Sequence, residues 1–150
     1  MDSIDLTLMR ALAMNGRSTF AELADIVGLS GPSTADRVRR LEDNGDIRGY
    51  AALVEPSCVG LDLTAFIAVS LAVSGAREAF LAGIADVPGV VECHHTAGDD
   101  DYLLKVHCAG TRGLDRLVSE GIKGLPGVAR TKTTVVLSSP LERVLVPAQG

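Results

Sequence analysis

The sequence predicts an α+β chain in which three short helices are followed by a duplicated strand-helix-strand unit. Three observations predict it. Apolar residues recur at three- and four-residue steps through the first forty positions, helix-capping residues punctuate that stretch, and a Pro-Gly signature further on repeats at an offset of 38 residues.

The first helix is read over Asp2 to Met14, where Ile4, Leu8, Ala11 and Leu12 form one stripe and Asn15-Gly16 supplies a stop. Thr19 with Glu22 three residues on is a capping box for a second, short helix carrying Leu23, Ala24 and Val27 and ending at Gly28. Ser30 caps the third, with Pro32 in a first turn that needs no intrahelical N–H, and Ala35, Val38 and Leu41 are expected to face inward. Only Gly28-Leu29-Ser30 joins the last two helices, which is helix-turn-helix spacing. Ser33, Thr34, Arg37 and Arg40 are then expected on the outer side, a mixture suited to phosphates and base edges, with Arg37 the candidate base reader. Short helix pairs bearing arginines also occur in domains that never meet DNA, so spacing leaves both readings open.

The remainder carries the duplication. Gly83-Ile84-x-x-Val87-Pro88-Gly89-Val90 returns as Gly121-Ile122-x-x-Leu125-Pro126-Gly127-Val128. The offset lays a strand from Thr64 to Val73 over Tyr102 to Thr111, a helix from Ala76 to Asp86 over one from Leu114 to Gly124, and a strand from Val90 to Ala97 over Val128 to Val135. Two such units joined by a hairpin at Gly98-Asp99-Asp100 make a ferredoxin-like βαββαβ sandwich. Ile47 to Val54 has strand character, as the wing of the N-terminal unit. The expected division is a helix-turn-helix domain over 1–53, a linker over 54–62 and the sandwich over 63–150. One face of the sheet has no helices, and strands as apolar as Ala65-Phe66-Ile67-Ala68-Val69 and Thr134-Val135-Val136-Leu137 predict that a second copy covers it.

Composition narrows the function. A net charge of −5 argues against coating nucleic acid non-specifically, and residues 1–53 hold six arginines against eight carboxylates, so any DNA contact is local. The apolar run from Leu63 to Val73 is about half of a membrane span. Without a basic-then-apolar leader, and with Cys58, Cys93 and Cys108 in no zinc-like spacing, a soluble cytoplasmic protein is expected. Cys93, His94, His95, His107 and Cys108 invite a metal-sensor reading. Hairpin pairing is expected to put Cys93 near His107 or Cys108, but strand alternation leaves no four ligands on one face, and no metal is expected. No nucleophile-base set or phosphate-cradling loop supports an enzyme.

Both halves carry a further likeness. Asp5-x-x-Leu8, Gly16-Arg17, Glu22-Leu23-Ala24, Val27-Gly28-Leu29-Ser30, Arg37-Val38-Arg39-Arg40-Leu41-Glu42 and Gly45-x-Ile47-x-Gly49-Tyr50 resemble the Lrp/AsnC family of transcriptional regulators. So do Gly98-Asp99-x-Asp101-Tyr102-Leu103-Leu104 and Leu125-Pro126-Gly127-Val128-x-Arg130-Thr131-x-Thr133, and coverage runs from Asp2 to Leu137. The resemblance implies a double-stranded-DNA partner, pairing of sheets into dimers that assemble to tetramers or octamers, and an amino-acid effector bound between dimers, with no other cofactor. With DNA as the partner, contacts are expected at Ser30, Pro32, Ser33, Thr34, Arg37 and Arg40, with Arg17, Arg39 and Arg48 on phosphates. The resemblance implies an effector site from Gly98, Asp99, Asp101 and Tyr102, with Thr134, Val135 and Val136 as a second wall. There Asp101 is the candidate ammonium anchor; the run Asp99 to Asp101 favours a basic amino acid such as lysine or arginine, while Thr134 equally suits a small polar ligand. Asp46 departs from the small or apolar residue usual at its place. The alternative is an amino-acid-binding subunit that does not touch DNA.

Overall fold

Asp2 and Asp5 open the chain with a reciprocal cap: the Asp5 N–H donates to Asp2 Oδ1 at 2.9 Å and the Asp2 N–H to Asp5 Oδ2 at 3.0 Å, starting helix α1 (Ser3–Met14). Two more caps follow as the sequence predicts. Thr19 and Glu22 start α2 (Phe20–Val27), which ends at Gly28 with φ 69°, and Ser30 starts α3 (Gly31–Asp43) with Pro32 in its first turn. Leu8 and Leu12, Leu23, and Val38 and Leu41 from the three helices close one apolar core. The computed structural model describes residues 1–72 and 74–148 and divides into two units, Met1–Leu53 with the tail from Leu141, and Val54–Pro140. The tail therefore groups with the first unit, where the sequence placed it with the sandwich; Gln149 and Gly150 lie outside the described residues.

The strand expected over Ile47 to Val54 does not form. Ile47 donates its N–H to Leu41 O at 3.0 Å, finishing the end of α3, and residues 48–54 run on without a ladder among the described residues. An alternating pattern makes a strand only where a second strand accepts its hydrogen bonds. Tyr50 lies over the α1–α2 turn, where a side chain at Gly16 would meet its ring at 3.4 Å, and its hydroxyl donates to Glu42 at 2.8 Å. The expected linker is ordered in part, as a 3₁₀ turn Pro56–Val59 that Glu55 caps.

The second unit is the expected sandwich. Its elements are β1 (Leu63–Leu71), α4 (Arg77–Ala85), β2 (Val90–His95), β3 (Tyr102–Cys108), α5 (Gly110–Arg116) and β4 (Val128–Val135). The sheet order is β2-β3-β1-β4, antiparallel throughout. Val73, the expected last residue of the first strand, lies outside the described residues. Ala65, Ile67 and Val69 of β1 and Tyr102, Leu104 and Val106 of β3 bury one face against Phe80, Ile84 and Ile122. The fifth helix begins at Gly110, four residues before the expected Leu114, because Asp62 Oδ1 accepts the Gly110 N–H at 2.8 Å and gives the chain an earlier start. It continues as a π turn, Leu117–Ile122, marked by the Lys123 N–H reaching back to Val118 O at 2.9 Å.

The duplication shows in the packing. A side chain at Gly83 would come within 2.6 Å of Leu125 Cδ2, and one at Gly121, its counterpart, within 3.1 Å of Val87 Cγ1. Each helix thus keeps a notch for the branched residue that follows the other. No helix among the described residues is long and apolar enough to cross a membrane.

Candidate nucleic-acid interface and effector loop

Gly28, Leu29 and Ser30 set the angle between α2 and α3. The Gly28 and Leu29 N–H groups both donate to Ala24 O, at 2.8 and 3.1 Å, and the positive φ of Gly28 turns the chain where a side chain would be strained. Leu29 is half-buried, and the Ser30 hydroxyl is taken by the cap and by Ser33 Oγ at 2.9 Å.

The exposed side of α3 differs from the expectation at two residues. Thr34 is 0% exposed, its hydroxyl donating to Ser30 O at 3.0 Å, so it belongs to the core with Val38 and Leu41, and Ala35 is only half-buried. The buried stripe steps by four and three from Thr34, which turns Thr34 rather than Ala35 to the inner side of α3. Arg37 is also drawn inward. Its side chain is 24% exposed, and Nη1 donates to Asp2 Oδ2 and to Asp5 Oδ1, both at 2.8 Å. The Asp5 backbone N–H, then Arg37, hold the Asp2 carboxyl below the usual carboxylate range, and Asp2 followed by Asp5 raises the Arg37 guanidinium further.

Pro32, Ser33, Arg39 and Arg40 remain exposed on α3, with Arg17 and Arg48 exposed before and after the helix pair. Arg39 is paired with Asp36 at 2.9 Å, whereas Arg17, Arg40 and Arg48 have no ion-pair partner among the described residues. A cavity of about 210 Å³ is lined by Arg37, Arg40 and the unusual Asp46 among others.

In the second unit the hairpin between β2 and β3 is built by its own acids. Asp101 Oδ2 accepts the Leu71 N–H at 2.7 Å, and the Asp101 N–H donates to Val69 O at 2.9 Å. Asp100 accepts from the Ser70 hydroxyl at 2.6 Å and from Arg130 at 3.0 Å, which hold its carboxyl below the usual range in that order. Thr96 closes the loop, donating its N–H to Asp101 O at 2.9 Å and its hydroxyl to Asp100 O at 2.8 Å. Gly98 and Asp99 are left exposed. With Asp100 paired to Arg130, the loop presents less negative field than three acids in a row suggest.

The remaining expected effector residues do not gather there. Tyr102 is 2% exposed, its ring 4.9 Å from Phe80 in the helix-covered core and 5.2 Å from the exposed His95, and its hydroxyl is buried without a hydrogen-bond partner among the described residues. β4 pairs Val135 with Ala65 and Arg130 with Ser70, so Thr134, Val135 and Val136 stand at the opposite end of the sheet from the hairpin, about 17 Å along the strand. Thr134 and Val135 also point to opposite faces. The register likewise corrects the expected neighbour of Cys93, which lies opposite Leu104, far from His107 and Cys108, because the six residues Thr96 to Asp101 form the turn. A groove of about 650 Å³ bounded by Val87, Gly89, His107, Arg116 and Leu117 contains none of the expected effector residues. Sequence reasoning missed Asp2 and Asp5 as partners of Arg37, and Ser70 and Arg130 as partners of Asp100. The signal for the first was present in two acids spaced as a cap.

A capped helix-turn-helix with exposed arginines, followed by a separate ferredoxin-like unit, defines a DNA-binding transcriptional regulator carrying a second, sensory type of domain. Comparison with known proteins gives the family. The AsnC-type helix-turn-helix domain matches residues 1–42 and the Lrp/AsnC ligand binding domain residues 64–146. The chain belongs to the Lrp/AsnC family of transcriptional regulators, which are not enzymes. It is 38% identical to the proline dehydrogenase transcriptional activator of Rhizobium radiobacter over 95% of this chain and 92% of that protein. In structure it is similar to a Neisseria meningitidis transcriptional regulator in complex with L-methionine, at TM-score 0.89 and 34% identity over 95% and 94% of the two chains. A feast or famine regulatory protein of M. tuberculosis complexed with L-methionine is similar at TM-score 0.90 and 36% identity over 97% and 99%.

Proposed function

We propose that this regulator binds double-stranded DNA through α3 and that an amino acid bound at the Gly98–Asp101 hairpin shifts its affinity. The observation that carries the effector reading is the hairpin. Asp100 and Asp101 hold it in place from within, which leaves Gly98 and Asp99 as the groups a ligand's charged ends can meet. Two similar regulators complexed with L-methionine support an amino acid as the ligand class, and the pairing of Asp100 with Arg130 removes the argument for a basic one.

On the DNA side, Pro32, Ser33 and Arg40 face the major groove, with Ser30 at the start of the helix, while Arg17, Arg39 and Arg48 hold phosphates. Thr34 is left out because it is buried. The sheet face bearing Phe66, Ala68 and Leu103 pairs with a second copy, and Phe66 is 36% exposed on it. Because Thr134 to Val136 lie at the far end of the sheet, a site that uses both them and the hairpin takes the two parts from different subunits, which fits a ligand between dimers and assembly to a tetramer or octamer. The protein acts in the cytoplasm and not at a membrane.

Fluorescence anisotropy on a duplex selected by the protein from a randomised pool, repeated with methionine and then each other amino acid, tests this. Sequence-preferring binding shifted about 5- to 150-fold by one amino acid supports it. Binding that no amino acid moves overturns the effector role, and no sequence preference overturns the DNA role. Sedimentation of Phe66→Glu, expected to be smaller than the parent species, tests the pairing of sheets.

A further inference from the structure

Arg37 stands on α3 among the residues assigned to DNA above, yet its guanidinium is held in a contact with the start of α1. The contact is a closed network. Asp2 and Asp5 exchange backbone-to-carboxylate hydrogen bonds at 2.9 and 3.0 Å, and Arg37 Nη1 donates to the remaining oxygen of each at 2.8 Å. All four carboxylate oxygens are thereby used. Asp5 is a buried residue, so its charge has few other sources of compensation.

Elsewhere among the described residues, α1 and α3 share an apolar core of Leu8, Leu12, Val38, Leu41 and their apolar neighbours. Such packing resists separation but is weakly directional, and a helix can roll or slide on it by a fraction of a turn. An arginine held by two carboxylates is directional. It fixes α3 at its middle, one turn from Ser33 and one from Arg40.

We propose that Arg37 is a positioning residue for DNA recognition: it clamps α3 to the first turn of α1 and sets the angle at which Ser33 and Arg40 are presented, without itself reading a base. This rests on the DNA-binding reading above, which the unmodified protein tests alone through its preference for the selected duplex over competitor.

The test measures affinity for that duplex, for duplexes substituted at each position in turn, and across a range of salt, for Arg37→Gln, Arg37→Lys, Asp5→Asn and the Arg37→Gln/Asp5→Asn pair. Circular dichroism and melting temperature are followed beside it. Expected for Arg37→Gln is a roughly tenfold loss, equal on every duplex, with the salt slope unchanged. Arg37→Lys, which keeps a charge and donors, recovers part of the loss. Asp5→Asn, which never faces DNA, reproduces it, and the double variant is no worse than the worse single one. Loss confined to one base position in Arg37→Gln makes Arg37 a base reader and overturns the proposal. A salt slope smaller by about one makes it a phosphate contact and does the same. A lower melting temperature with unchanged affinity makes the clamp merely structural. Should Arg37→Gln not fold, Asp5→Asn decides by the same readings, since full affinity in that variant overturns the proposal.

Discussion

Asp101 Oδ2 accepts the Leu71 backbone N–H at 2.7 Å, so the carboxylate expected to anchor a ligand also fastens the end of β1 to the hairpin. The two roles separate by substitution. Asp101→Ala leaves the Leu71 amide without its acceptor and is expected to cost about 1.5–3 kcal/mol, the range for a hydrogen bond to a charged group. Asp101→Asn keeps an acceptor oxygen, so it should lower the melting temperature less. If Asp101 also meets the effector ammonium, Asp101→Asn still weakens amino-acid binding tenfold or more by calorimetry. An Asn variant with full ligand affinity would restrict Asp101 to its structural role.

Gly89 begins the turn into β2 with φ 91°, and a side chain there would stand 2.6 Å from His107 O. Backbone strain and a clash with a backbone atom act together, so Gly89→Ala should lower stability by about 1–3 kcal/mol or more. Gly83→Ala meets only the flexible tip of Leu125 and should cost less. The urea midpoint should fall further for Gly89→Ala, with the slope of the transition unchanged in both. Equal midpoints would show that Leu125 cannot move aside.

Three carboxylates are held below their ordinary range: Asp2 by the Asp5 backbone N–H and then Arg37, Glu22 by the Thr19 backbone N–H, and Asp100 by the Ser70 hydroxyl and then Arg130. A lowered folded-state value means the unfolded chain takes up protons first as pH falls. Their contribution is therefore complete above the ordinary carboxylate range and is lost as pH drops through the lowered values, below about pH 4. Urea midpoints measured from pH 7 to 3 should show that limb, and Glu22→Gln should make it shallower. A limb of unchanged steepness in Glu22→Gln would remove the α2 cap from the acid response.

At the other end of the scale, burial and then the hydrogen bond to Glu42 push the Tyr50 hydroxyl up to about 12. Its folded value is raised, so the protonated form belongs to the fold, and stability is present below the ordinary tyrosine value of about 10 and lost as pH climbs toward the raised one. Ultraviolet difference titration of the protein against Tyr50→Phe should isolate this late step, and Glu42→Gln should bring it down. Ionisation near 10 would mean that Tyr50 is not seated over Gly16 in solution.

The parts of this fold that the sequence makes legible are those decided within a few residues. Thr19 with Glu22, Ser30 with Pro32 and the left-handed Gly28 are local arrangements, and they mark both ends of α2 and the start of α3. The repeat fixed the order of the sandwich and the span of β4 for a similar reason, since a glycine-proline signature needs no distant partner to be recognised. What local pattern could not decide was the choice among near-equal alternatives settled by a neighbour far along the chain. Thr34 and Ala35 are one step apart on α3, and the packing of the helices buries the threonine. Arg37 is polar by type, but two acids 32 and 35 residues away turn it inward. The effector loop was legible in place and not in role, because Asp99, Asp100 and Asp101 look alike until Ser70, Leu71 and Arg130 are brought beside them.

The paired notches of the sandwich, Gly83 beneath Leu125 and Gly121 beneath Val87, bear on where such a domain can come from. A lone strand-helix-strand segment carrying one such glycine and one such branched residue is self-complementary: two separate copies would dock by the same two contacts that the fused chain makes within itself. Tandem fusion of that ancestor then requires no new packing solution, only a tether. After fusion a change at the notch in one half must be answered in the other.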